Sequence, residues 1–209
     1  MLIRFSVSNF LSFDEEQELS LKAGKARKYS ERLYIKRKLK LVKCEALFGC
    51  NAVQNTVENG FPRGFSNNYY RLKKENRLKP SRFEIEFICR DKRFCFGFSA
   101  ILNSGNIIEE WLYELTASGI KKELYSRNVE EESFIIGSYF KKKTAIAKLV
   151  NYGEDSSGDH ENLFLTIINK SKGKMFADFP ELNILKDIFF WFVFRLNISK
   201  PDEVLTGYP

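Results

Sequence analysis

The segment from 82 to 100 contains the pattern that most restricts how this chain folds. Large apolar side chains occupy every second position up to residue 89, and again after a polar turn at 90–92. Successive side chains of a strand point to opposite faces of its sheet, so this alternation predicts a β-hairpin with one buried face. Turn-forming residues at 103–106 and 117–119 predict that the hairpin continues into an antiparallel meander. The apolar positions of the hairpin are Phe83, Ile85, Phe87, Cys89, Phe94, Phe96, Phe98 and Ala100.

Shorter strand patterns precede the meander, and helical patterns follow it. Past residue 140 the apolar spacing lengthens toward the period of an α-helix, and Pro180 stands in a first turn, where helices tolerate it. The predicted strands cover 2–7, 18–22 and 39–48, and the predicted helices cover 142–151, 161–170 and 180–197. This order of elements predicts an α/β (α+β) fold with a mixed sheet, an antiparallel meander and C-terminal helices.

Composition places the chain among globular proteins that have a substantial core. Its 209 residues are 44% hydrophobic and 15% aromatic, which is enough to order a domain. No apolar run approaches the roughly 18 residues of a membrane span, and the amino terminus lacks the pattern of a signal peptide. Four cysteines without such a signal indicate reduced thiols. We therefore predict a cytoplasmic protein without membrane contact.

Positive charge is concentrated in one segment of the chain. Residues 22–43 contain ten basic side chains and one acidic side chain, Glu31, whereas the whole chain has a net charge of +7. Two tyrosines lie in the same segment, so it offers charge for phosphates and rings for bases, as nucleic-acid binding requires. Lys36, Arg37 and Lys38 are the candidate contacts. The alternative is a solvated loop and strand edge, where lysines prevent unwanted strand pairing.

Side chains that perform acid–base or metal chemistry are sparse. His160, the single histidine, lies in a polar loop, where a histidine is more often solvated than catalytic. Cys44 and Cys50 are six residues apart, as are Cys89 and Cys95, and this is not the spacing of a zinc knuckle. No serine, histidine and aspartate set can be assembled. The sequence therefore predicts no catalytic residue and no metal site.

The strongest candidate for a ligand site follows the strand predicted over 39–48. The chain there reads Gly49-Cys50-Asn51-Ala52, which is the first half of a phosphate-binding loop, Gly-x-x-x-x-Gly-Lys-Ser/Thr. In such a loop backbone amides surround the phosphates, the lysine reaches the outer ones and the hydroxyl binds Mg²⁺. Without a gap, Gln54, Asn55 and Thr56 stand where Gly, Lys and Ser/Thr are required. A plain strand-to-helix turn explains the same residues.

Residues 1–13 resemble the opening strand of ABC-type ATPase heads of the RecF, SMC and overcoming-lysogenisation-defect kind. More narrowly, the chain resembles bacterial AAA-type ATP-binding proteins linked to abortive infection and phage defence. Their loop typically reads Gly-Ala-Asn-Ala-Ser-Gly-Lys-Ser, which Gly49, Asn51 and Ala52 match. The resemblance implies a nucleotide site for ATP with Mg²⁺ in a head that works as a dimer. It continues through 59–62, 79–84, 109–115, 162–165 and 191–192, and so spans nearly the whole chain.

Departures from that family decide what the resemblance implies. Residues 53–58 alone separate the loop from the Asn59-Gly60 turn, where the family has a helix of several turns. A deletion after Ala52 that removes Ser-Gly-Lys-Ser would explain this. Residues 53–58 would then be the last turns of the helix, Gly60 would cap it, and Thr56 would not bind Mg²⁺. No strand that ends in Asp-Glu supplies the second half of a catalytic site, so hydrolysis by this chain alone is not expected.

The resemblance implies one incomplete domain, the N-terminal half of an ATPase head. Its three parts would be a degenerate nucleotide-binding core over 1–60, a β-meander lobe over 61–140 and a helical part over 141–209. In a degenerate head, the amides of Gly49, Cys50, Asn51 and Ala52 would retain any contact with ATP, and Asn9 and Ser12 would lie near its base or ribose.

Two other functions remain open from the sequence. The first is an interaction module that docks on a full-length ATPase head, or a dimer partner, through the apolar helix near Phe189 and Phe192. The second is a nucleic-acid-binding protein that uses the basic segment 22–43.

Overall fold

The computed structural model describes residues 1–24, 33–36, 39–42, 50–116, 118, 120–171 and 173–196. These residues form a seven-stranded sheet, a separate two-stranded hairpin and several helices, so the predicted mixture of α and β structure is confirmed at that level. The prediction of a mixed sheet is wrong for the described strands. Every pair of neighbours among them runs antiparallel.

Nine strands are present in the described part of the chain: β1 (Leu2–Ser8), β2 (Gln17–Ser20), β3 (Leu33–Lys36), β4 (Leu39–Val42), β5 (Ser81–Cys89), β6 (Lys92–Ile101), β7 (Asn106–Leu115), β8 (Lys121–Asn128) and β9 (Ser133–Ile136). The large sheet has the order β2-β1-β5-β6-β7-β8-β9, and β3 pairs with β4. The meander from β5 onward matches the prediction, because each strand pairs with the next one along the chain. Residues 43–48 of the predicted third strand lie outside the described residues.

The described α-helices are α1 (Cys50–Asn59), α2 (Lys143–Asp155), α3 (Phe164–Ser171), α4 (Met175–Asp178) and α5 (Asn183–Phe190). Short 3₁₀ turns cover Arg63–Phe65, Lys74–Arg77 and Pro180–Leu182, and a π-helical turn covers Trp191–Arg195. The helices predicted at 142–151 and 161–170 are therefore confirmed with shifted ends. No helix in the described ranges is long and apolar enough to cross a membrane.

Strand register confirms the buried face that the alternation predicts. Across β5 and β6 the register pairs Phe83 with Phe98, Ile85 with Phe96, and Phe87 with Phe94. All six of these side chains are fully buried. The helices cover this face, because the rings of Trp191 and Phe192 pack on Phe87 at centroid distances of 4.3 and 5.3 Å. The core of the molecule is the layer between this sheet face and the helices.

The opposite face of the sheet carries charged side chains. Arg4 forms ion pairs with Glu84 and Glu86, the residues that alternate with the buried phenylalanines of β5. Trp111 lies on the same face above Gly97, and a Cβ at position 97 would come within 2.2 Å of the tryptophan ring. Glycine is therefore required at that position, and the two faces of the sheet differ in chemistry as the sequence alternates.

The helix predicted over 180–197 begins at Pro180 as expected but is not uniform. A 3₁₀ turn leads into α5, and the last turn widens to a π-helix, in which the amide of Leu196 donates to the carbonyl of Trp191 at 2.9 Å. Residue 197 lies outside the described residues. The widened turn places Trp191 and Phe192 in the core while Phe190 and Phe194 remain exposed. The stretch predicted as buried on more than one side is therefore buried in part.

Candidate functional site

The segment predicted as a degenerate phosphate loop is mainly helical. Helix α1 begins at Cys50, so Cys50, Asn51 and Ala52 belong to its first turn, while Gly49 lies outside the described residues. Ala52 is 1% exposed and belongs to the main hydrophobic core. Three of the four candidate residues thus start a helix, as in the strand-to-helix alternative, and the side chain of Ala52 is used in packing.

The side chain of Thr56 is hydrogen-bonded within its own helix. Its hydroxyl donates to the carbonyl oxygen of Ala52 at 2.7 Å, and the residue is fully buried. Gly60 adopts a positive φ of 79°, and its amide donates to the carbonyl of Thr56 at 3.0 Å, which confirms the glycine cap predicted for this helix. This geometry agrees with the alignment in which Thr56 is not a Mg²⁺ ligand.

Asn9, a candidate for contacts near a base or ribose, fastens two loops to β1. Its amide nitrogen donates to the carbonyls of Asn76 and Lys79, each at 2.9 Å, and its side-chain oxygen accepts from the amide of Tyr70 at 3.1 Å. Asn9 is 5% exposed, so these bonds satisfy a buried polar group. Its position with φ of 49° is one that asparagine tolerates. Both the nitrogen and the oxygen of the Asn9 side chain are already hydrogen-bonded within the protein, so this residue has a structural role.

Asn9 forms its side-chain hydrogen bonds with the backbone at positions 70, 76 and 79, and no other candidate residue is among these partners. Ser12 is exposed in the turn between Phe10 and Phe13, whose backbones pair with each other. Lys36 lies at the end of β3 in the small hairpin, and Arg37 and Lys38 lie outside the described residues. The nucleic-acid hypothesis therefore stays a prediction from charge.

A buried polar network that the sequence did not single out connects β7, β8 and α3. Both oxygens of Glu110 accept hydrogen bonds at the start of α3, from the amides of Phe164 at 2.6 Å and Leu165 at 3.1 Å. The Tyr125 hydroxyl donates to the same carboxylate at 2.6 Å. The guanidinium of Arg127 lies 3.9 Å from it and donates to loop carbonyls that include that of Asn162, at 3.0 Å.

Burial dominates the electrostatics of this network. The side chains of Glu110 and Arg127 are 0% exposed. Desolvation raises the pKa of Glu110 above its ordinary value, and the nearby Arg127 charge and the donated hydrogen bonds oppose that rise. The pKa of Tyr125 is raised by burial and by the adjacent carboxylate. The sequence contained one sign of this buried carboxyl. Glu110 lies two residues before Leu112 in β7, so the two side chains point to the same, inward face of the sheet. The network caps a helix inside the core.

Exposed aromatic rings border a groove on a different surface of the protein. Helix α5 and the π-helical turn that follows it, Asn183–Arg195, together form what we call the C-terminal helix. A groove of about 680 Å³ lies between the end of β5 and this helix, and we call it the aromatic groove. Phe190 is 41% exposed and Phe194 is 70% exposed, and their rings lie 5.5 Å apart on one helix face. The groove is lined by Met1, Ile88, Cys89, Arg90, Asp187, Phe190, Trp191, Phe194 and Arg195.

The exposed rings are not the ones that the sequence indicated. Phe192 is fully buried against Phe87 and Phe96, so its place on a docking face is corrected. Phe189 is half-buried and packs against the core. Phe190 and Phe194 are four residues apart and therefore share a helix face, which is the spacing of side-chain neighbours on a helix.

Charge around the aromatic groove is mainly positive. Arg90 and Asp187 form an ion pair with two contacts of 2.7 Å, so these two charges offset each other. Lys186 lies 5.6 Å from the centre of the Phe190 ring, and Arg195 is exposed at the end of the helix. Neither cation forms an ion pair among the residues that the structure describes. The groove is therefore an apolar surface with uncompensated positive charge at its rim.

Comparisons with known proteins give no similarity to report: no family model, no curated protein and no solved structure matches this chain.

Proposed function

We propose that this protein is an ATPase-head-like domain that has lost nucleotide turnover and works by docking on another protein through the aromatic groove. The observation that carries the proposal is the pair of exposed phenylalanines, Phe190 and Phe194. Single exposed apolar residues are common on protein surfaces, but adjacent aromatic rings beside a groove are typical of interaction sites. Aromatic side chains, phenylalanine among them, are also enriched at protein interfaces relative to the rest of the surface.

Loss of nucleotide chemistry is supported by the residues that the sequence assigns to the nucleotide site. Phosphoryl transfer requires cations and magnesium ligands around the transferred group, and the chain offers Gln54 and Asn55 at the positions of the loop glycine and lysine. The Thr56 hydroxyl is bonded to Ala52, and the Asn9 amide is bonded to three backbone groups. Binding of ATP would have to break these bonds or rely on backbone amides alone.

The resemblance to ATPase heads also suggests the partner. We propose that the chain docks on a full-length ATPase head of the kind it resembles. A degenerate head that binds an intact head would associate with it or prevent it from pairing. The experiment is co-purification of this chain with such a full-length head that carries an intact Gly-Lys-Ser loop. Phe194→Glu should abolish recovery, because a charge in the centre of an apolar contact is costly to desolvate.

The matched control is Leu72→Glu, which also replaces an exposed apolar side chain with glutamate, at a residue that is 85% exposed and lies outside the groove. This variant should co-purify as the unmodified chain does. Recovery of Phe194→Glu equal to that of Leu72→Glu would reject docking through the aromatic groove.

A further inference from the structure

The shape and charge of the aromatic groove specify its occupant more narrowly. We infer that it binds an amphipathic helix of about two to three turns, with acidic residues beside its apolar stripe, presented by the partner protein. This inference rests on the proposed docking function and adds the chemistry of the partner. It follows from the spacing of the lining residues and from the charges at the rim.

The spacing favours a helix as the occupant. The side chains that the C-terminal helix contributes are Asp187, Phe190, Trp191, Phe194 and Arg195, which recur at the three- and four-residue spacing of one helix face. Such a face offers a ridge and a groove into which a second helix packs. The lining residues of this helix run from Asp187 to Arg195, which is about 13 Å at 1.5 Å per residue and matches about two to three turns of a partner helix.

The second wall of the groove supports the same occupant. Ile88, Cys89 and Arg90 at the end of β5 lie opposite the helix face, together with Met1. The amide of Ile88 and the carbonyl of Ile88 are both bonded to Met1, so these backbone groups are not available to pair with an added strand. An occupant would therefore contact side chains, as a helix does.

The rim charges favour acidic residues on the occupant and disfavour a second copy of this chain. Lys186 and Arg195 flank the exposed rings and have no ion-pair partner in the described ranges. Carboxylates beside the apolar stripe of a partner would pair with both of them. A symmetric contact between two copies would instead bring these cations together, and like charges across an interface oppose association.

The test uses two labelled peptides of about 14 residues that differ in charge alone. Both are stapled as helices and carry leucines at the i, i+3, i+4 and i+7 positions. One has glutamates beside the leucines and the other has lysines. Fluorescence anisotropy with the full chain should give at least about tenfold tighter binding for the glutamate peptide, and this preference should shrink as salt is raised.

Three variants locate the effect. The double change Lys186→Glu and Arg195→Glu should reverse the preference, so that the lysine peptide binds more tightly. The control pair, Lys143→Glu and Lys174→Glu, alters net charge equally at exposed positions outside the groove and should leave the preference in place. Phe194→Glu should weaken binding of the glutamate peptide.

Each remaining outcome overturns the inference in a distinct way. Equal binding of the two peptides, lost together in Phe194→Glu, would reject the acidic partner and leave docking through the groove intact. Binding of neither peptide would reject a helix as the occupant. A dimer in light scattering that Phe194→Glu dissociates would show that a second copy occupies the groove. The proposed function itself fails on a separate result, unchanged co-purification of Phe194→Glu with the full-length head.

Discussion

Helix α1 and the C-terminal helix border the same core but differ in what they leave accessible to a ligand or a partner. The polar groups that the sequence assigned to a nucleotide site are used within the fold: the Thr56 hydroxyl donates to the carbonyl of Ala52, and the Asn9 amide donates to the carbonyls of Asn76 and Lys79. The C-terminal helix buries Phe192 and leaves Phe194 on the surface. A group that is already bonded has little left to offer a ligand, whereas exposed aromatic surface gains free energy when a partner covers it. The contrast therefore supports the proposal that docking uses the C-terminal helix.

Phe192→Ala should have the largest effect on stability. Its ring is fully buried and contacts Phe87 and Phe96, so truncation removes buried apolar surface and leaves a cavity. We expect a loss of about 3–5 kcal/mol in the free energy of unfolding, measured by urea denaturation. A loss below about 1 kcal/mol would mean that the ring is not part of the core, and the two faces of this helix would no longer differ.

Glu110→Gln should destabilise the chain by about 3 kcal/mol, because an amide cannot accept all the bonds the carboxylate accepts and Arg127 loses its counter-charge. Burial raises the pKa of Glu110, so the folded state holds this proton more tightly than the unfolded state does. The contribution of the carboxyl to stability should therefore fall as pH rises above about 4.5.

The pH dependence is measured as the difference in unfolding free energy between the unmodified chain and Glu110→Gln, at about pH 5 and about pH 8. The uncharged variant lacks this titration, so the difference should narrow at the higher pH. If the difference in unfolding free energy instead widens at the higher pH, the Arg127 charge and the donated hydrogen bonds lower the pKa of Glu110 by more than burial raises it.

Phe194→Glu should have the smallest effect on stability while it abolishes docking. The ring is 70% exposed, so its replacement changes little in the folded state, and we expect a shift within about 0.5 kcal/mol in the free energy of unfolding. Urea denaturation of Phe194→Glu beside Leu72→Glu measures this directly. A large loss for Phe194→Glu alone would make it a core residue, and its loss of docking would then report unfolding.

The sequence predicted what depends on local pattern. Alternation over 82–100 predicts the hairpin and its buried face, and Gly60 predicts the end of α1, because both follow from backbone geometry. The antiparallel character of the whole sheet did not follow, since β1 and β5 pair across more than 70 residues of sequence. Which rings of the C-terminal helix face outward also did not follow, because the π-helical turn at Trp191–Arg195 shifts the helix face. The Glu110 network depends on contacts of three separate elements.

Thermal unfolding of the full chain with and without Mg-ATP tests most directly whether the residues at the start of α1 serve the fold alone and bind no nucleotide. A ligand at 100 times its dissociation constant adds about 2.7 kcal/mol and moves the midpoint of a domain of this size by several degrees. We predict a cooperative transition with the same midpoint in both conditions. A clear upward shift with Mg-ATP would contradict the account, because it would mean that a nucleotide site persists at the start of α1.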